Sequence, residues 1–213
     1  MLERFTWFRQ SAFRWRDEDL TVYIDPWGTT GDPPADLILI THAHFDHFQI
    51  EEIERLLKPG TEIVAPADVA KEISGDVNAV GPGDSLEVAG VKVQAVPAYN
   101  IAPDRLDKHP KANNWVGFVL ELGGSTYYHA GDTDHLPELE SLRTDVAFVP
   151  IGGTYTMDAR EAGGLVRALS PQLAVPMHFG FVVGSPSDAE TFRTEAAPVR
   201  VEVLAPENPF EQK

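Results

Sequence analysis

Four consecutive apolar residues, Leu37-Ile38-Leu39-Ile40, run directly into Thr41-His42-Ala43-His44-Phe45-Asp46-His47. Three imidazoles and a carboxylate within six residues constrain this chain more than any other stretch. Neutral imidazole and ionised carboxylate are the usual nitrogen and oxygen ligands of zinc and similar divalent cations. Crowding them without a cation costs desolvation, and no packing role needs this spacing. The alternative is a polar surface turn that happens to be rich in histidine. Context favours the metal site: the apolar run reads as a buried strand, and Ile50, Ile53, Leu56 and Leu57 follow at helical spacing.

A chain of 213 residues with 43% hydrophobic content can bury a sizeable core. No long linker, low-complexity tract or fixed-period repeat interrupts it, so a single domain over residues 1–213 is expected. The net charge of −16 argues against nonspecific nucleic-acid or membrane-surface binding. The absence of cysteine excludes disulfides, thiolate metal sites and a cysteine nucleophile, and suits a reducing compartment. Met1-Leu2-Glu3-Arg4-Phe5 lacks the look of a signal peptide, and no stretch approaches the ~18 uninterrupted apolar residues of a membrane span. A cytoplasmic protein with a small-molecule partner is expected, its oligomeric state open and a homo-oligomer among the options.

Read in order, residues 2–24 give short strands, with Leu20, Val22 and Ile24 alternating at period two. Asp25-Pro26-Trp27-Gly28 stops the last of them, and a turn role for Asp25 is the safer reading, with proximity to the metal site the other. Strands follow over 37–40, 62–65 and 77–80, with helices over 50–57 and 67–73. Hairpins are expected over 86–96, turning at Gly90, and over 115–129, turning at Gly123-Gly124. Between them, residues 97–114 form a long loop without apolar periodicity, of the kind that is usually functional or disordered. A strand over 146–149, a helix over 157–169 and a strand over 173–175 come next. Ser187-Asp188-Ala189-Glu190 matches a capping box, Val201, Val203 and Leu204 a last strand, and the tail after Pro206 looks loose. Strands repeatedly end in a loop bearing His or Asp: His42–His47, Asp132 and His178.

His42-x-His44-x-Asp46-His47, Gly131-Asp132-Thr133 and Pro176-Met177-His178 resemble, in order and spacing, the metallo-β-lactamase superfamily. Tyr128-His129-Ala130-Gly131-Asp132-Thr133 and Pro150-Ile151-Gly152-Gly153 with Thr156-Met157 look like the compact metal-dependent hydrolases near its ascorbate-6-phosphate lactonase group. The resemblance implies an α/β (α+β) fold, a four-layer αββα sandwich with metals at one edge. It implies His42 and His44 as ligands of a first cation, Asp46, His47 and His178 as ligands of a second, and Asp132 as the bridge. Two zinc ions are expected, with manganese or iron as alternatives. One departure stands out: where the family supplies a third histidine to the first cation, this chain has Asn100, a poor zinc ligand. A histidine from the loop, His109, is the favoured substitute; weak binding or a one-metal site are the others.

Such a centre makes hydroxide available near neutral pH, for attack on a carbonyl carbon or phosphorus. Asp46 and His47 are the candidate catalytic residues. No G-x-S-x-G elbow and no P-loop is present. Arg105, Lys108, His109 and Lys111 cluster in the 97–114 loop, where they either grip an anionic substrate or merely offset Asp104 and Asp107. Lys108, Lys111, Asn100 and Tyr155 are the candidate substrate-binding residues. His129 reads equally as a residue donating to a ligand carboxylate or as a core histidine; His135 reads as surface. Thr156 is a candidate helix cap, and Trp27, Tyr99 and Trp115 are pocket-wall candidates for which core packing is the better reading. The expected function is a metal-dependent hydrolase of a small anionic lactone, ester or phosphodiester. A phosphodiesterase or nuclease of the same fold, and a noncatalytic metal-binding or regulatory module, are the alternatives. A di-iron redox role usually brings a flavin domain, which this chain lacks.

Overall fold

Alternation along the central strands divides the molecule into layers. Val22, Ile24, Leu37, Leu39 and Val64 point into one buried cluster, while Tyr23, Ile38, Ile40, Ile63 and Ala65 point into another. A strand buried on both faces must lie between two packed layers. The computed structural model describes residues 1–29 and 33–210.

Among the described residues, twelve strands form two six-stranded sheets. The first holds β1 (Phe5–Trp7), β2 (Phe13–Arg16), β3 (Thr21–Ile24), β4 (Leu37–Leu39), β5 (Glu62–Pro66) and β6 (Asn78–Val80), in that spatial order. Pairing is antiparallel from β1 to β3 and parallel from β3 to β6. The second holds β7 (Ser85–Val88), β8 (Val91–Pro97), β9 (Val116–Leu122), β10 (Ser125–His129), β11 (Val146–Pro150) and β12 (Leu173–Met177). Here β7 to β10 pair antiparallel and β10 to β12 parallel. Helices α1 (Ile50–Leu56) and α2 (Ala67–Ala70) pack Ile53, Leu56 and Val69 on the outside of the first sheet. Helices α3 (Ala159–Leu169) and α4 (Asp188–Glu195) cover the second, and the inner faces share one large core. This is the expected αββα sandwich.

Several local readings differ. The capping box belongs to α3: Asp158 accepts from the Arg160 and Glu161 amides, and Glu161 accepts from the Asp158 amide. Ser187 makes no capping bond: its hydroxyl pairs with Ser185 Oγ at 2.9 Å and its backbone is already helical. Val201 contributes a single bridge to Ala174 rather than a strand, since its stretch runs off the sheet edge. The tail is fixed as far as it is described. The Glu207 amide donates to Trp7 O, Asn208 Nδ2 donates to Gly28 O at 3.1 Å, and Phe210 packs on Trp7, Phe179 and Phe181. Residues 211–213 lie outside the described part.

Candidate metal centre

Six of the candidate ligands leave the ends of strands, and His109 comes from the loop between β8 and β9. The turn after β4 carries His42, His44, Asp46 and His47; the turn after β10 carries Asp132; the residue after β12 is His178. Carboxyl ends of parallel strands deliver their loops to one rim. Gly131 permits the approach: at φ +61 it lies where a Cβ would come within 2.9 Å of Val116 O and 3.1 Å of Thr41 Cβ. His178 itself adopts φ +57, a costly conformation for a residue with a side chain, and its amide is held by Gln10 O at 2.9 Å.

The side chains converge in overlapping groups whose ligand atoms lie within 4.8 Å of one another: His42, His44 and His109; His42, His47 and Asp132; Asp46, His47 and His178. Asp132 stands between them. Its Oδ2 is 3.0 Å from His178 Nε2 and 3.2 Å from His109 Nε2, and its Oδ1 is 3.4 Å from His47 Nε2. His47 Nε2, His109 Nε2 and Asp132 Oδ1 are buried without a hydrogen-bond partner. Buried polar atoms are ordinarily satisfied, so several unsatisfied ones facing each other call for a cation. A nitrogen and oxygen donor set without sulfur fits zinc, manganese or iron.

The groups behind these residues fix their tautomers. His47 Nδ1 donates to Asp25 Oδ2 at 2.7 Å, and the Thr41 amide and hydroxyl donate to the same carboxylate at 2.8 and 2.7 Å. With its proton thus given away, the Thr41 hydroxyl can accept from His42 Nδ1 at 2.9 Å. His109 Nδ1 donates to Asn100 Oδ1 at 2.7 Å. These bonds occupy Nδ1 of His42, His47 and His109 and leave Nε2 as the atom each can offer a cation. Trp115 lies beside the His42 and His44 rings, at 5.0 and 4.9 Å, with its indole N–H bonded to Asp68.

Protonation follows from burial and neighbours. Burial, then the adjacent imidazoles, push His42 and His44 below the ordinary histidine value. Burial acts the same way on His47, yet Asp132, Asp46 and Asp25 outweigh it and lift that ring well above. His178 is likewise lifted against burial, to about 9, by Asp132 and Asp46. Both carboxylates stay ionised: burial opposes this, but the rings around them hold Asp46 and Asp132 below the usual carboxylate range.

Some readings from the sequence change here. Asp25 is no mere turn residue; it backs His47 and is fully buried. Asn100 neither ligates nor faces the cavity. It orients His109 and donates to Asp134 at 2.9 Å. Arg105 is tied to Asp134 and to both oxygens of Glu161, and Lys111 turns away to the Tyr99 hydroxyl at 2.8 Å. Only Lys108 and Tyr155 of the four substrate-binding candidates line the cavity over the centre. His129 is a core histidine bonded to Ser11 O at 2.9 Å, and Asp158 caps α3 where Thr156 was the candidate.

Two residues escaped the sequence reading. Gln10, buried at φ +42, donates through Nε2 to Asp46 Oδ2 at 3.2 Å, while its carbonyl also accepts from Trp7 Nε1. Asp134 accepts from the Ile101 and Ala102 amides, Asn100 and Arg105, and so pins the 97–114 loop against the centre. The Gly131-Asp132-Thr133-Asp134 run hinted at Asp134; nothing marked Gln10.

Known proteins share this fold. The β-lactamase superfamily domain matches residues 4–178. A metal-dependent hydrolase of Thermococcus onnurineus is 37% identical over 190 residues, covering 81% of this chain and 83% of its own. A solved structure from Parabacteroides distasonis superposes with a TM-score of 0.86 at 29% identity, over 95% of this chain and 93% of that one. Igni18, a metallo hydrolase of Ignicoccus hospitalis, gives 0.77 at 25% identity over 98% of each chain.

Proposed function

This chain belongs to the metallo-β-lactamase superfamily, and on that premise we propose that its centre hydrolyses a small lactone, ester or phosphodiester. The protein is a metal-dependent hydrolase; two zinc ions as the resident cations are our proposal. The observation that carries it is the convergence of the unsatisfied His47 Nε2, His109 Nε2 and Asp132 Oδ1 beneath a cavity of about 210 Å³. His42, His44 and His109 would hold one cation, Asp46, His47 and His178 the other, with Asp132 between them. A bound divalent cation lowers the pKa of its water toward ~7 and stabilises negative charge on reacting oxygens.

The chain's own residues supply the rest. Asp46, ionised and held by Gln10, would orient the attacking water through its carboxylate. Asp25 keeps His47 in the tautomer that exposes Nε2. Asp134 and Arg105 hold the 97–114 loop so that His109 is in place before substrate arrives. His109 would take the ligand place that Asn100 cannot fill, which lowers the weight of the noncatalytic-module alternative. No described helix is long and apolar enough to cross a membrane. A cytoplasmic location and a small-molecule partner suit the acidic, cysteine-free composition.

Metal analysis of the purified protein, then assay on lactones, esters and phosphodiesters, tests the reading. About two equivalents per chain and chelator-sensitive turnover are expected. His47→Ala should reduce turnover to background and lower the metal content; unaltered turnover after exhaustive chelation would refute the proposal.

A further inference from the structure

The wall above the histidines is poor in the groups an anionic substrate needs. Arg105 is consumed by Asp134 and Glu161, and Lys111 sits over the Tyr99 ring at 4.4 Å. Among the residues lining the cavity, Lys108 is the one Lys or Arg, and its ammonium lies 2.9 Å from Asp107. The remaining rim is Phe45, Tyr155 and Val182.

Phe45 is 60% exposed, the most of any large hydrophobic side chain among the described residues. Its place between His44 and Asp46 puts it at the mouth of the centre. The ring is braced edge-on by Trp27 at 5.8 Å, and Arg9 stacks behind Trp27 at 4.2 Å. A fixed aromatic ring left in water beside a reactive centre gains free energy when an apolar group covers it. Tyr155, 36% exposed, is fixed by its carbonyl, which accepts from Asn100 and His109. The cavity of about 210 Å³ equals roughly seven water volumes at ~30 Å³ each, smaller than drug-sized pockets.

We propose that the substrate is a compact carboxylic ester or lactone whose apolar body lies against Phe45, Tyr155 and Val182, with at most one anionic group, which meets Lys108. This narrows the hydrolase reading and rests on it. One water suffices for the reaction: its hydroxyl joins the acyl carbon, the acyl C–O bond breaks, and the remaining proton goes to the departing oxygen. A phosphodiester fits less well, because it brings two substituents to a small rim whose side walls are Phe45, Tyr155 and Val182.

Calorimetric titration of zinc-loaded, full-length protein with acetohydroxamate, benzohydroxamate, phenyl phosphate and inorganic phosphate tests this without needing turnover. Benzohydroxamate should bind at least tenfold more tightly than acetohydroxamate, and both phosphates more weakly than benzohydroxamate. Phe45→Ser should remove most of that tenfold preference while zinc content stays at the wild-type level; Tyr155→Ala should remove part of it. Equal binding of the two hydroxamates, or phenyl phosphate binding ahead of benzohydroxamate, would overturn the proposal. Failure of the wild-type chain to take up zinc, manganese or iron would be seen before any ligand is added; it would sink the hydrolase reading, and the substrate proposal with it.

Discussion

His47 and His109 face different oxygens of Asp132, at 3.4 and 3.2 Å, and each gives its Nδ1 proton to a buried side chain at 2.7 Å. The geometry is matched but the chemistry behind it is not. His47 rests on the Asp25 carboxylate and His109 on the Asn100 amide. A charge-assisted hydrogen bond is roughly twice as strong as a neutral one, and an anionic partner raises the basicity of the ring it holds. An amide fixes orientation and leaves the charge unchanged. On the proposed two-cation reading, the half built on His47 and His178 would be tuned for affinity, and the half built on His42, His44 and His109 for placement.

The sharpest way to break this comparison is to remove the charge and keep the shape. Asp25→Asn should weaken binding of one zinc equivalent 10–100-fold. Asn100→Ala should cost less than Asp25→Asn, with its loss confined to the other equivalent. Competition with a chromophoric chelator reads both, and equal losses would erase the distinction between the halves.

Acidity should separate the halves next. Without metal, the folded-state pKa of His178 is lifted to about 9, against burial, by Asp132 and Asp46. Below that value the ring carries a proton that a cation must displace. The affinity of the Asp46, His47 and His178 half should therefore rise with pH up to about 9, by roughly tenfold per unit for each proton released. His42 and His44 are shifted down, chiefly by burial, and are neutral at pH 7. Zinc titrations near pH 6 and pH 8 should give one tight equivalent at the lower pH and two at the higher.

The smallest effect belongs to Gln10. Its amide makes a single bond to the ionised Asp46 carboxylate, worth about 1.5 kcal/mol, so Gln10→Ala should weaken the second equivalent about tenfold. A larger loss, matched by a fall in thermal stability, would mean that the Gln10 main chain moves and takes His178 with it.

Local features carried the sequence reading as far as local features reach. His42, His44, Asp46 and His47 share one turn, so covalent spacing alone puts them together. The alternation of Leu37, Ile38, Leu39 and Ile40 between two buried layers showed as an unbroken apolar run. Asp25 was misread because Pro26 and Gly28 give it a turn's surroundings, while its partner His47 lies 22 residues away. Asn100 looked like a defective ligand because only the fold shows His109 leaning on it. Gln10 meets Asp46 across 36 residues, and its conformation carries no residue-type signature. Val201, Val203 and Leu204 read as a strand in the sequence, yet the pairing is the single bridge from Val201 to Ala174.

Tyr155 serves the centre in two separable ways. Its carbonyl braces Asn100 and His109, a task any amino acid at that position can perform, while its ring only borders the opening. Mutation there can exchange the ring and leave the brace standing. Diet could thus drift at this position over evolutionary time while the reaction stays intact, and orthologous chains that share the same catalytic floor need not consume the same compound.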